Sequence, residues 1–148
     1  MFSGTVKTEW LDDGRDMRLL ETLTFTDAIG QVWEAPVGSI INGASIPKIL
    51  WSVIGSPYTG KYRRPTVLHD VYCTTRTEPH QVVHRLFNEM MQCDGVEESL
   101  RIRMFKAVWY FGPKWPMLLG RPSESIQTKI THRPEDILTV LDSLPWPL

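Results

Sequence analysis

Cysteine is scarce. Cys73 and Cys93 are the two thiols in 148 residues, and no CxxC or zinc-ribbon spacing joins them. That excludes a disulfide framework and reads as two reduced, partly buried residues on helices, which fits a cytosolic origin. An excess of charge of one sign is also missing. Sixteen Lys and Arg stand against 17 Asp and Glu, a net charge of −1, so the clustered cations that nucleic acid requires are absent. Lys61, Arg63 and Arg64 form a small group that reads as a solvated loop. No apolar run approaches the ~20 residues needed to span a bilayer, so no transmembrane segment is expected. Met1-Phe2-Ser3-Gly4 shows neither the charged nor the apolar region of a signal peptide. Repeats and low-complexity tracts are lacking. What is present is an ordinary globular composition, 42% hydrophobic and 22% charged, in a chain long enough for one domain with a real core. Tryptophan (6) and proline (11) are the oddities, many of them late in the chain.

Residues 4–10 alternate polar and apolar, the period of a half-exposed strand, and Asp12-Asp13-Gly14 reads as the turn of a hairpin. Met17 to Phe25 alternates again with Leu19, Leu23 and Phe25 on one face; Asp27-Ala28-Ile29-Gly30 is the next turn, and Gln31 to Ala35 a third strand. Asn42-Gly43 suits a tight turn. Ser45, two residues before Pro47, reads as the cap of a short helix holding Ile49, Leu50, Trp51 and Ile54. A helix from Pro65 to about Thr75 presents Val67, Leu68, Val71 and Tyr72, with His69 on the border of that face and Asp70 turned further away. Thr77-Glu78-Pro79 restarts the chain with a capping hydroxyl, and Val82, Val83, Leu86, Phe87, Met90 and Met91 form a wide apolar stripe ended by Asp94-Gly95. Glu97-Glu98 open another helix, which Gly112-Pro113 closes. The expected fold is α+β: a small N-terminal antiparallel β-meander packed on about three α-helices in residues 1–112. An extended C-terminal arm with a short helix, residues 113–148, either packs back or serves a partner.

Chemistry concentrates on His69-Asp70-Val71-Tyr72 and the helix after it. His80 and His84 are four apart and therefore neighbours on one helix edge. Three readings are open. Imidazoles and a carboxylate (His69, Asp70, His80, His84) can hold a divalent metal such as zinc. His69 can act as a general base while Asp70 holds a hard cation such as calcium, with Asn42, Ser45 and Tyr72 lining the site. Or the histidines are border residues hydrogen-bonded to backbone, and nothing is catalysed.

Gly43-Ala44-Ser45-Ile46-Pro47, Trp51, His69-Asp70 with Tyr72, then Phe87 and Met90 or Met91 resemble the domain-of-unknown-function family DUF1353 over residues 17–112. The resemblance implies a phage or prophage origin. The family pattern has aspartates where this chain has Asn42 and His84. The His69-Asp70 step is also similar to the active-site helix of secreted phospholipases A2, which would make His69 the base and Asp70 a calcium ligand. His84 would stand where an orienting aspartate belongs, and the disulfides and glycine-rich calcium loop of those enzymes are missing.

From this the expected function is a phage-encoded structural or interaction protein. It would be a virion component associated with the tail, carrying a degenerate His–Asp site, with other phage proteins as partners. It would be made in the host cytoplasm and lodged in the virion. The alternative is a metal-dependent hydrolase, phospholipase-like or cell-wall-degrading, using His69, Asp70 and His84; an inhibitor of a host protein is a third.

Overall fold

The computed structural model describes residues 1–43, 45–118, 121–122, 126–127 and 131–147. Alternation of buried apolar and more exposed residues organises the first forty. Strand β2 (Thr8–Trp10) turns through Asp12–Gly14 into β3 (Met17–Leu19), in the antiparallel register Thr8↔Leu19 and Trp10↔Met17. Asp13 closes that turn by accepting the Arg15 and Asp16 amides. On its other edge β3 pairs with β6 (Ile40–Ile41). A second antiparallel sheet has the order β1 (Phe2–Ser3), β4 (Leu23–Thr26), β5 (Val32–Ala35).

The expected meander is therefore two three-stranded sheets, and the run from Met17 to Phe25 is two strands in different sheets. The break falls at Leu20–Thr22, where the Leu20 amide turns to Lys7 and the Thr22 hydroxyl accepts the Val37 amide. Both sheets send their alternate residues inward: Met17, Leu19, Leu23, Phe25, Trp33, Ala35 and Ile41 are buried in one core.

The helical layer is α1 (Lys48–Ile54), α2 (Arg63–Thr75), α3 (His80–Cys93) and α4 (Glu98–Phe111). Their limits follow the local chemistry. Glu97 caps α4 by accepting the Ser99 and Leu100 amides, which, with the Ser99 hydroxyl as the largest cause, lowers its carboxyl to about 2. Asp94 ends α3, Gly95 follows at positive φ, and Asp94 takes a bidentate pair from Arg64 at 2.6 and 2.9 Å. Arg64 is thus held rather than solvated, and Arg63 reaches the Val6 carbonyl. The two hydroxyl caps expected for α1 and α3 are not made. Pro47 and Pro79 occupy those cap positions, and neither carries a side-chain donor or acceptor.

The C-terminal segment does not stand off from the domain. Pro113–Lys114 (β7) pairs with Ile126–Gln127 (β10), and Met117–Leu118 (β8) with Arg121–Pro122 (β9). After a 3-10 turn at Pro134–Asp136, helix α5 (Ile137–Ser143) buries Ile137 and Leu141 in the main core. Arg103 ties it down through a bidentate pair with Asp142. Leu148 lies outside the described residues. No helix among those described is long and apolar enough to cross a membrane.

Candidate functional site

Helix α2 runs through the interior. Pro65 to Val71 and Cys73 are all buried, with α3 on one side and β5 and β6 on the other. Consecutive helical residues point about 100° apart, so His69 and Asp70 face different walls, and both walls are protein. The expectation that Asp70 turns away from the core fails for that reason: its outer side is covered by Asn42, Gly43 and Ser45, and it is 3% exposed.

Asp70 is the anchor of the turn they make. One carboxylate oxygen accepts the Asn42 and Gly43 amides at 2.9 and 3.3 Å, and the other accepts the Ser45 amide at 3.2 Å. Burial raises its pKa, while these amides and the Ser45 hydroxyl pull the other way. Every one of these partners is a donor, which suits the ionised form. Gly43 lets the turn close at φ 70°; a Cβ there would lie 2.9 Å from the Tyr58 hydroxyl and 3.0 Å from Pro57. The close fit of the turn over α2 needs that missing side chain.

His69 points the other way, between Ser45 and His84. Its Nδ1 lies 3.2 Å from the Ser45 hydroxyl and its Nε2 2.9 Å from Nδ1 of His84. The outer nitrogen of His84, Nε2, is 3.0 Å from the Pro113 carbonyl. A carbonyl only accepts, so His84 carries its proton on Nε2 and its Nδ1 is bare. His69 then donates from Nε2 and accepts the Ser45 hydroxyl at Nδ1. Burial pushes both rings to the neutral form, His69 well below the ordinary histidine value and His84 to about 3. Aromatic rings complete the enclosure: Phe87 lies 4.5 Å from the His69 ring, and Trp115 and Trp109 lie 6.3 and 6.4 Å from His84.

Cys73, one helical turn after His69, brings its sulfur to 3.6 Å from His69 Nε2. Ligand atoms of His69, Cys73 and His84 all lie within 4.8 Å of one another, close enough to hold a metal ion. The structure thus brings together His69, His84 and Ser45 and adds Cys73. It does not bring in the other candidates. Asp70 spends its oxygens on the turn, His80 turns Nδ1 to the Trp115 carbonyl at 3.0 Å, and Tyr72 accepts the Glu34 amide while stacking edge-on to Trp33. Asn42 contributes its amide to Asp70 and lines a separate cleft of about 210 Å³ with Arg15, Lys48 and Trp51. The i,i+4 pair that matters is His69 and Cys73 on α2, not His80 and His84 on α3. Cys93 is exposed, contrary to the expectation that both thiols are partly buried.

A serine hydroxyl on a histidine is the pairing of nucleophilic hydrolases. Here it lacks two things they need. Ser45 and His69 are 3% and 0% exposed, and the group behind the histidine is a neutral imidazole rather than a carboxylate. None of the described surface clefts is lined by Ser45, His69, Cys73 or His84; one of about 360 Å³ is lined by His80, Trp115 and Met117.

Two curated proteins of Sinorhizobium fredii are similar to this chain. "Uncharacterized protein y4jT" is 36% identical over 99 residues, covering 67% of this chain and 30% of its own length. "Uncharacterized protein y4iH" is 35% identical over 95 residues, covering 64% and 40%. The matched region is thus well under half of each relative. No solved structure matches. The family described as "Protein of unknown function (DUF1353)" matches residues 17–108, which include both sheets' inner strands, the turn over Asp70 and the histidine pair. The chain belongs to DUF1353.

Proposed function

We propose that this chain is a structural and interaction domain whose hydrolase-like histidine centre is closed and inactive. The setting we propose is a phage virion, at or near the tail, with other virion proteins as partners. The observation that carries the reading is the sealing of His69 and His84: both are fully buried and neutral, capped at one end by Ser45 and at the other by the Pro113 carbonyl. A general base must reach its substrate's proton within hydrogen-bond distance, and here that space is filled by Phe87, Trp109 and Trp115. Calcium has no place in this reading, because it takes oxygen ligands and Asp70 is committed to the amides of Asn42, Gly43 and Ser45. The phage setting is drawn from the family resemblance. The much longer relatives support a domain that works inside larger chains.

The test is turnover. With calcium or zinc supplied, the purified chain should release no fatty acid from phospholipid vesicles and no fragments from peptidoglycan above the level of a His69→Gln variant. Turnover that this substitution abolishes while the circular dichroism spectrum stays native would overturn the reading. For the setting, mass spectrometry of virions from a host carrying the gene should find the chain at a stoichiometric level; its absence would remove the virion assignment.

A further inference from the structure

We infer that His69, Cys73 and His84 form a structural site for a thiophilic transition metal, zinc first, that clamps α2 to α3 beneath Ser45. Three features carry it: donor type, spacing and the shell behind the donors. Two imidazole nitrogens and a thiol sulfur are the donor set of zinc and its soft neighbours, and not of calcium or magnesium. In a tetrahedral zinc site with bonds of about 2.0 Å to nitrogen and about 2.3 Å to sulfur, neighbouring donors sit about 3.3 Å apart for two nitrogens and about 3.5 Å for nitrogen and sulfur. His69 Nε2 to Cys73 Sγ is already 3.6 Å, and His69 Nε2 to His84 Nδ1 is 2.9 Å. Parting the two rings by about 0.4 Å meets the nitrogen–nitrogen spacing; His84 Nδ1 and Cys73 Sγ lie within 4.8 Å of each other and close to about 3.5 Å around the ion, for which the three side chains supply three of four ligands.

The proton bookkeeping points the same way. A metal-bound histidine usually donates its other N–H to a carbonyl or carboxylate, which fixes the ring. His84 already does so, with Nε2 on the Pro113 carbonyl and Nδ1 bare toward the centre. Ser45 has one hydroxyl proton and two claimants, Asp70 and His69 Nδ1. Without a metal, His69 must hold its proton on Nε2 to meet His84, so Ser45 gives its proton to Nδ1 and Asp70 loses a donor. With a metal between the rings, the His69 proton sits on Nδ1 and is donated to Ser45, and the Ser45 hydroxyl is released to Asp70. Cys73 binds as the thiolate and its proton leaves to solvent. Every group in the chain from Asp70 to Pro113 is then satisfied. Asp70 becomes the carboxylate behind the site and offsets the net positive charge left by a divalent ion and one thiolate.

The experiment uses the full chain, refolded with zinc alone and with cobalt alone and then desalted. The expected result is about one zinc per chain by elemental analysis, unchanged in Cys93→Ser, and at least tenfold less in Cys73→Ala/His84→Gln. The cobalt form should show a thiolate-to-metal charge-transfer band that disappears in Cys73→Ala. Zinc retained by the double variant, or a wild-type cobalt form with no thiolate band, would overturn the site. The cobalt spectrum is read on the unmodified chain, so the inference is decided even if the double variant does not fold.

Discussion

Acid should unfold this protein through its two buried histidines. Their pKa values are depressed in the fold, so the native state keeps both rings neutral while the unfolded chain takes up protons below the ordinary value of 6.5. Protons therefore favour the unfolded state. Stability is lost as pH falls through that value, and His84 goes on contributing to the loss until its native ring protonates at about 3. Linkage gives the size: from about pH 7 to about pH 5, each ring costs roughly 2 kcal/mol, so the pair costs about 4 kcal/mol. For a chain of this length that is a fall of roughly 12 °C in midpoint. Asp70 acts in the opposite sense. A carboxyl raised by burial binds its proton more tightly in the fold, so it adds stability as pH falls through its own window. The informative quantity is therefore a difference. Thermal unfolding would be followed by circular dichroism in chelator at several pH values, for the wild type and for His84→Gln. The wild type should show the steeper dependence by about one proton's worth, roughly 1.4 kcal/mol per pH unit below pH 6. Parallel curves would refute the claim that His84 is held neutral by burial.

Three further outcomes follow from the same geometry. Asp70→Asn replaces one acceptor oxygen with a donor against the Asn42, Gly43 and Ser45 amides and should cost about 2–4 kcal/mol in urea unfolding; a loss under about 0.5 kcal/mol would mean that Asp70 does not anchor the turn. Gly43→Ala places a methyl against Tyr58, Pro57 and Trp51 at positive φ and should lower stability by about 1–3 kcal/mol, checked in the same assay. Truncation after Gly112 removes Trp115 from its place over His80 and His84 and Ile137 and Leu141 from the core. The shortened chain should lose cooperative thermal unfolding, whereas a free arm would come away with the midpoint unchanged.

The helices were legible because their signals are local. α3 has its 3.6-residue stripe, Asp94-Gly95 its stop and Glu97 its cap, and each needs only neighbours in sequence. The division of the strands was not, because Leu19 and Leu23 point inward whether they share a strand or lie in separate sheets. Of the centre, the meeting of His69 with His84 is foreshadowed by the local similarity of the His69-Asp70 step to the phospholipase A2 helix, which sets His84 opposite His69. The direction of Asp70 was hidden, since a helix covered on both sides has no outer face and periodicity alone does not reveal the second cover. Cys73 looked like any small core residue, although its position one turn after His69 was a usable signal. Trp115 and the Pro113 carbonyl come from a segment without period, and only the folded chain shows that they close the centre. Ser45 reads as a helix cap in the sequence because Pro47 stands close by, and Asp70, 25 residues on, is out of view.

Closure of the centre is the claim on which the rest depends, and histidine footprinting addresses it directly. The native chain, in chelator, would be treated briefly with diethyl pyrocarbonate and each histidine followed by mass spectrometry. The account predicts fast modification of exposed His132, slower modification of half-buried His80, and protection of His69 and His84 until the chain unfolds. Modification of His69 at a rate near that of His132 in the folded chain would contradict it, and would return the histidine pair to the status of an open, reactive site.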